Sequence, residues 1–179
     1  MNKVEIKAKV RDLLSSGVPK SEVFEQLSGQ GVNDSQLAYF IASFAYPERR
    51  RKHRWKVNLL ITLMVILAGI VFLVGFGIGA KIGPNAKWIL AGISMLIPLL
   101  LAWGFYAHRV GAYNAYILLT IVQLPRSFEG FTSTPVVSSI GIAINIGLLA
   151  YVLYVREKIF PGFAFVTPKK IKGKYIFEG

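Results

Sequence analysis

The residues best suited to acid, base or metal chemistry are few and scattered. His53 and His108 are the only 2 histidines, and the 179 residues include no cysteine. Two imidazoles do not make a metal site by themselves, and without a thiol there is no disulfide, thiolate nucleophile or thiolate ligand. Both histidines stand among basic residues, His53 within Arg49 to Arg54 and His108 beside Arg109, where partial solvation at an interface accounts for them and leaves pH sensing as the functional alternative. Glu129 lies between Phe128 and Phe131, with no second carboxylate near it for paired acid and base work. The expectation is a protein that is not an enzyme and holds no cofactor or metal.

The elements that would have to position chemistry are apolar runs, at about residues 57–80, 88–107, 110–124 and 136–155. The hydrophobic fraction is 54%, the charged fraction 17% and the mean hydropathy +0.51, a balance suited to lipid rather than to a soluble core wrapped in charge. None of the runs contains Asp, Glu, Lys, Arg or His. Proton relays, ion pathways and voltage sensors keep such groups in their spans, so a coupled pump or an intramembrane protease is disfavoured. The first run is the clearest span, and the second carries Pro98 as an expected kink. The third reaches only about 22 Å and includes Tyr113, Asn114, Tyr116 and Gln123. It is nonetheless expected to cross rather than re-enter, because otherwise the basic tail would face outward.

Charge then orients the chain. The formal net charge is +12, but residues 1–47 balance 5 basic against 5 acidic side chains. The excess lies in residues 48–56 and in the tail from Arg156, each with 6 basic residues. These clusters flank expected spans and read as topology signals and anchors for anionic headgroups rather than as a nucleic-acid surface. With both termini inside, 18 basic residues fall on the cytoplasmic side, and Lys81, Lys87 and Arg126 fall outside. The expected location is a bacterial inner membrane, with the first span serving as its own insertion signal.

Residues 1–46 read as a cytoplasmic three-helix unit. Val4, Ile6, Val10, Leu13 and Leu14 precede a stop at Gly17; Val23, Phe24 and Leu27 follow Pro19 and end at Gly29 and Gly31. Asn33 or Asp34 caps a third helix carrying Leu37, Tyr39, Phe40, Ile41 and Phe44, with Gln36 placed for a capping box. So small a unit buries little and is expected to dock on something. A helix-turn-helix around Gly17–Val18–Pro19 is disfavoured by its zero net charge. Residues 47–56 form a basic juxtamembrane linker. The tail, 156–179, is expected to hold extended stretches at 163–167 and 172–177 around Pro168, as a small hairpin. The fold class is therefore all-α: a four-helix transmembrane bundle with a small N-terminal helical unit.

Small residues recur every fourth position, as Gly75, Gly79 and Gly83 on the first span and as Ser139, Ala143 and Gly147 on the last. Such faces let helices approach closely, within the bundle, in a homo-oligomer or against another protein's span. Asn145, mid-span, is expected to make an interhelical hydrogen bond that locks the bundle. Arg49, Arg50, Arg51, Lys52, Arg54, Lys56, Arg156, Lys158, Lys169 and Lys170 are the expected membrane-surface anchors, and Tyr151, Tyr154, Phe128, Phe131, Phe160, Phe163 and Phe165 an aromatic belt.

In span number, uncharged spans, cytoplasmic termini and short basic tail, the chain resembles small polytopic bacterial inner-membrane proteins that include immunity proteins against pore-forming toxins. That resemblance implies neutralisation of a membrane-acting toxin through helix contacts in the bilayer, and it carries over no individual residue. Two other readings stand beside it. One is a membrane adaptor recruiting a soluble partner through its N-terminal helices; the other is a passive channel or lipid-handling subunit lined by Asn114, Gln123 and Asn145.

Overall fold

The computed structural model describes residues 2–128 and 135–177. Glu129 and Phe131 lie outside the described residues. Helices dominate the described chain, in the order α1 (Lys3–Ser15), α2 (Lys20–Leu27), α3 (Asp34–Ala42), α4 (Pro47–Lys52), α5 (Arg54–Ala80), α6 (Ala86–Tyr106), α7 (Val110–Gln123) and α8 (Pro135–Ile159), before a hairpin of β1 (Lys170–Ile171) and β2 (Lys174–Tyr175). They divide into two units: Met1–Arg51 with Arg156–Gly179, and Lys52–Val155.

In the first unit, Gly17, Gly29 and Gly31 stop α1 and α2 by taking the left-handed backbone that side chains disfavour, with φ of +89°, +77° and +98°. The Glu5 carboxylate accepts the Asn2 backbone N–H at 2.9 Å, and Asn33 Oδ1 caps α3 by accepting the Ser35 N–H at 3.0 Å. Ile6, Val10, Leu14, Val23, Leu27, Leu37 and Ile41 form the core, and Phe177 from the distant chain end packs against it. The tail is therefore part of this domain. Phe163 meets Tyr39 edge-on at 5.5 Å, while Tyr175 and Phe177 lie 5.4 and 5.6 Å from Phe24. A side-chain carbon on Gly162 would come within 3.2 Å of Ala42 Cβ, so glycine permits this approach.

The hairpin differs in register from the stretches expected at 163–167 and 172–177. Lys170 pairs with Tyr175 and Ile171 with Lys174, around a turn in which Lys172 and Gly173 have φ of +48° and +83°. Two positive φ values suit a tight hairpin turn, which moves the crossing point from Pro168 to Lys172–Gly173. Pro168 instead makes a single bridge to Phe163.

In the second unit, α5, α6 and α8 supply 3 helices long and apolar enough to cross a membrane. α7 has 14 residues and reaches about 21 Å, short of a hydrocarbon core of about 30 Å. α5 and α6 pack as a hairpin through Gly75 and Gly79. A methyl on Gly75 would lie 3.0 Å from the Leu90 carbonyl oxygen, and one on Gly79 would lie 2.6 Å from that of Ala86. Gly83, expected on the same packing face, is in the following turn with open space around it, because α5 ends at Ala80. Pro98 sits inside α6 without ending it. α6 turns into α7 at His108, φ +49°, with Phe105 and Tyr113 rings 4.6 Å apart and Gly104 against Ala112.

α8 returns to the start of α5: Tyr151 Oη donates to the Lys56 carbonyl at 3.1 Å, and Lys56 Nζ bonds Tyr154 Oη. Its middle departs from expectation. Ser139, Ala143, Asn145 and Gly147 are exposed, so Asn145 is turned to the surroundings instead of locking a bundle core. Nor do Phe160 and Phe163 belong to an aromatic belt, since both are buried in the first unit.

Gly75→Val forces the α5 and α6 backbones apart and should cost about 1–3 kcal/mol, whereas Gly83→Ala should stay within about 0.5 kcal/mol. Reversible unfolding by denaturing detergent, followed by circular dichroism, distinguishes the two.

Candidate partner-binding surfaces

No group of three His, Cys, Asp or Glu side chains that could hold a metal occurs among the described residues. What the fold does assemble is two grooves and an exposed helix face. In the first unit a groove of about 410 Å³ runs between α1, α3 and the tail. Lys3, Ser35, Gln36, Tyr39 and Thr167 place an ammonium, hydroxyls and an amide around Phe40, Val166 and Pro168. A polar rim around an apolar floor suits a peptide-like ligand, which presents alternating backbone and side-chain groups. Five of these residues come from the N-terminal segment and three from the tail.

The tail wall is held from within. Arg156, at the end of α8, is only 3% exposed, and its guanidinium donates to the carbonyls of Phe165 and, at 3.5 Å, Ala164. The Lys169 N–H reaches the Gly162 carbonyl at 2.9 Å, closing the loop that carries Val166 to Pro168. Arg156 thus departs from its expected role as a headgroup anchor: burial spends its donors on the loop. Among the other expected anchors, Arg50, Arg51, Lys52, Arg54, Lys158 and Lys170 are exposed, and Arg49, Lys56 and Lys169 are half-buried.

A second cavity, about 620 Å³, is lined by Leu14, Gly17, Phe44, Tyr46, Glu48 and Arg49 among others. Behind it lies Lys20, 3% exposed, a residue the sequence reading passed over. Its Nζ donates to the Phe44 carbonyl at 3.2 Å and stands 5.1 Å from the centre of the Tyr46 ring. Burial, reinforced by the Arg49 charge, pushes this ammonium down to about 8. Lysine at the first position of a helix otherwise reads as a solvated charge, so only the tertiary structure reveals it.

The third surface is the exposed face of α8. Ile140, Ile144 and Ile146 are exposed beside Ser139, Ala143 and Gly147, and no neighbouring atom lies within 4 Å of where a Gly147 side chain would begin. The two small-residue motifs therefore part company: Gly75 and Gly79 are filled by α6, while the α8 set is open.

Because folded Lys20 gives up its proton near pH 8 and an unfolded lysine keeps one to about 10.5, the unfolded state binds more protons in between. Stability of the first unit should rise from about pH 8 toward 10, by at most ~3 kcal/mol. Burial also raises the Tyr46 phenol above 10.0, which turns the profile down at higher pH. Urea titrations of the full chain in micelles at stepped pH test this, and Lys20→Met should flatten the rising limb. Compared with protein-family models, with curated proteins and with solved structures, the chain matches none.

Proposed function

We propose that this chain is a non-catalytic membrane adaptor, anchored by four crossings in a bacterial inner membrane, that recruits a soluble cytoplasmic partner to the groove built from its two ends. The observation that carries the reading is the shared core of the first unit, where Phe163, Tyr175 and Phe177 pack on Tyr39 and Phe24. Two ends in one folded body lie on one side of a bilayer, which requires an even number of crossings. With α5, α6 and α8 crossing, α7 crosses as well. The contact of Lys56 with Tyr151 and Tyr154 supports the same count, since α8 ends where α5 begins. A helix of α7's length spans by drawing in its flanks, His108–Arg109 and the turn at Pro125–Phe128, or by thinning the bilayer. The distribution of basic residues favours the cytoplasm for the shared domain.

The immunity reading keeps one observation in its favour. The open Ser139–Ala143–Gly147 face of α8, with Asn145 beside it, suits a partner helix inside the bilayer, such as an inserted toxin segment. Nothing comparable favours a channel: Asn145 is exposed on α8 while Asn114 is buried on α7, so the two do not line one path.

Because the chain has no cysteine, single-cysteine variants test the topology directly. Asn85→Cys should react with a membrane-impermeant maleimide in intact spheroplasts, and Ser16→Cys and Gly173→Cys only after permeabilisation; opposite labelling of the last two would end the shared-domain reading. A photo-crosslinking amino acid at Gln36 or Thr167 should capture a discrete soluble protein. Crosslinks arising instead only from Ser139 or Ala143, and only to a membrane protein, would replace the adaptor with the immunity reading.

A further inference from the structure

The hairpin carries a face that no role so far uses. In a two-stranded pair, directly opposed residues share a face and successive residues alternate. Tyr175 and Phe177 turn inward onto Phe24, and Lys170 goes with Tyr175, its Nζ 5.0 Å from the ring centre. The opposite face presents Ile171 and Lys174, with Ile176 following on the same side and Lys172 at the turn. Ile171 is 50% exposed and Ile176 37%, and Lys172 and Lys174 are both exposed. From Pro161 to Phe177 the chain contains 4 lysines and no acidic residue.

We propose that this outward face is a membrane-surface contact, in which Ile171 and Ile176 enter the bilayer interface while Lys172 and Lys174 take the phosphates of anionic phospholipid headgroups. Two apolar tips flanked by cations match an interface with hydrocarbon below and negative charge above, and match a soluble acidic polymer only in their charge. The tether favours the bilayer further. α8 ends at Ile159, and the twelve residues to Ile171 reach at most about 40 Å even if fully extended, so headgroups remain at high local concentration. This assignment also separates the lysines: Lys170, exposed but on the Tyr175 face of the hairpin, is not part of the contact. It rests on α8 and α6 being inserted.

The test uses the full chain in vesicles of phosphatidylcholine with or without phosphatidylglycerol, containing lipids brominated near the headgroup or deep in the acyl chain. In a background with the three native tryptophans changed to phenylalanine, Ile171→Trp reports the hairpin; a companion retaining only Trp103, exposed on α6, reports insertion of the spans. Shallow bromines should quench the Ile171→Trp reporter roughly twofold more strongly when phosphatidylglycerol is present, and high salt or Lys172→Gln with Lys174→Gln should remove that difference. Lys170→Gln should leave it in place. Loss of the difference in Lys170→Gln alone, equal quenching in both vesicles, or no quenching while Trp103 is quenched overturns the headgroup contact. Absence of Trp103 quenching would instead overturn the spanning reading on which it stands. Protection of the hairpin reporter by added RNA, without lipid quenching, would give the face to a nucleic acid and also overturn the proposal.

Discussion

Tyr39 against Phe163, edge to face at 5.5 Å, is a contact on which the closure of the first unit depends. Its two partners stand at opposite ends of the chain, with every long apolar helix between them. Closing so large a loop would be entropically costly for a free chain, though the cost grows only slowly with length. Here the long helices reduce it, because Tyr151 near the end of α8 bonds Lys56 near the start of α5. Three helices as short as α1 to α3 bury too little apolar surface to be robust. Phe177, Tyr175 and Phe163 supply the aromatic area that these helices lack.

Polar groups serve that joint at a cost. Arg156 gives up hydration to hold the carbonyls of Phe165 and Ala164, and Lys20 does the same for the Phe44 carbonyl. A buried cation bonded to neutral carbonyls gains less than one paired with a carboxylate, so these contacts contribute more to geometry than to net stability. In the apolar half the means differ. Gly75 and Gly79 let α5 and α6 touch through their backbones, which is how helices gain packing where lipid removes the hydrophobic driving force.

Much of the helical order is legible in the sequence, for local reasons. Gly17 and Gly29 end helices because of their own backbone freedom, and the apolar runs near 57–80 and 88–107 foretell α5 and α6 to within a few residues. The joint is not legible, because Phe163, Tyr175 and Phe177 after an apolar run look the same whether they lie in headgroups or in a protein core. Arg156 misleads in the same way, since a cation at a helix end carries no local sign of burial. The candidate groove was invisible for a further reason: its walls come from segments separated by the whole apolar domain. Within the apolar helices, small residues at a spacing of four identify faces that can pack without identifying which will, and so Gly75 and Ser139 read alike while Gly75 lies against α6 and Ser139 is exposed.

A domain shared between the first and last segments also fixes the order in which this protein becomes complete. Chains emerge from the ribosome N-terminus first and fold domain by domain. Here α1 to α3 are synthesised early but must wait, with Phe24 and Tyr39 uncovered, until α8 has emerged and the tail can reach them. The unit begun by α1 to α3 is therefore finished only after α5 to α8 have been made. A chain interrupted before the tail is left with Phe24 and Tyr39 uncovered by Tyr175, Phe177 and Phe163. Closure of the tail over Phe24 and Tyr39 is the step that covers this aromatic surface.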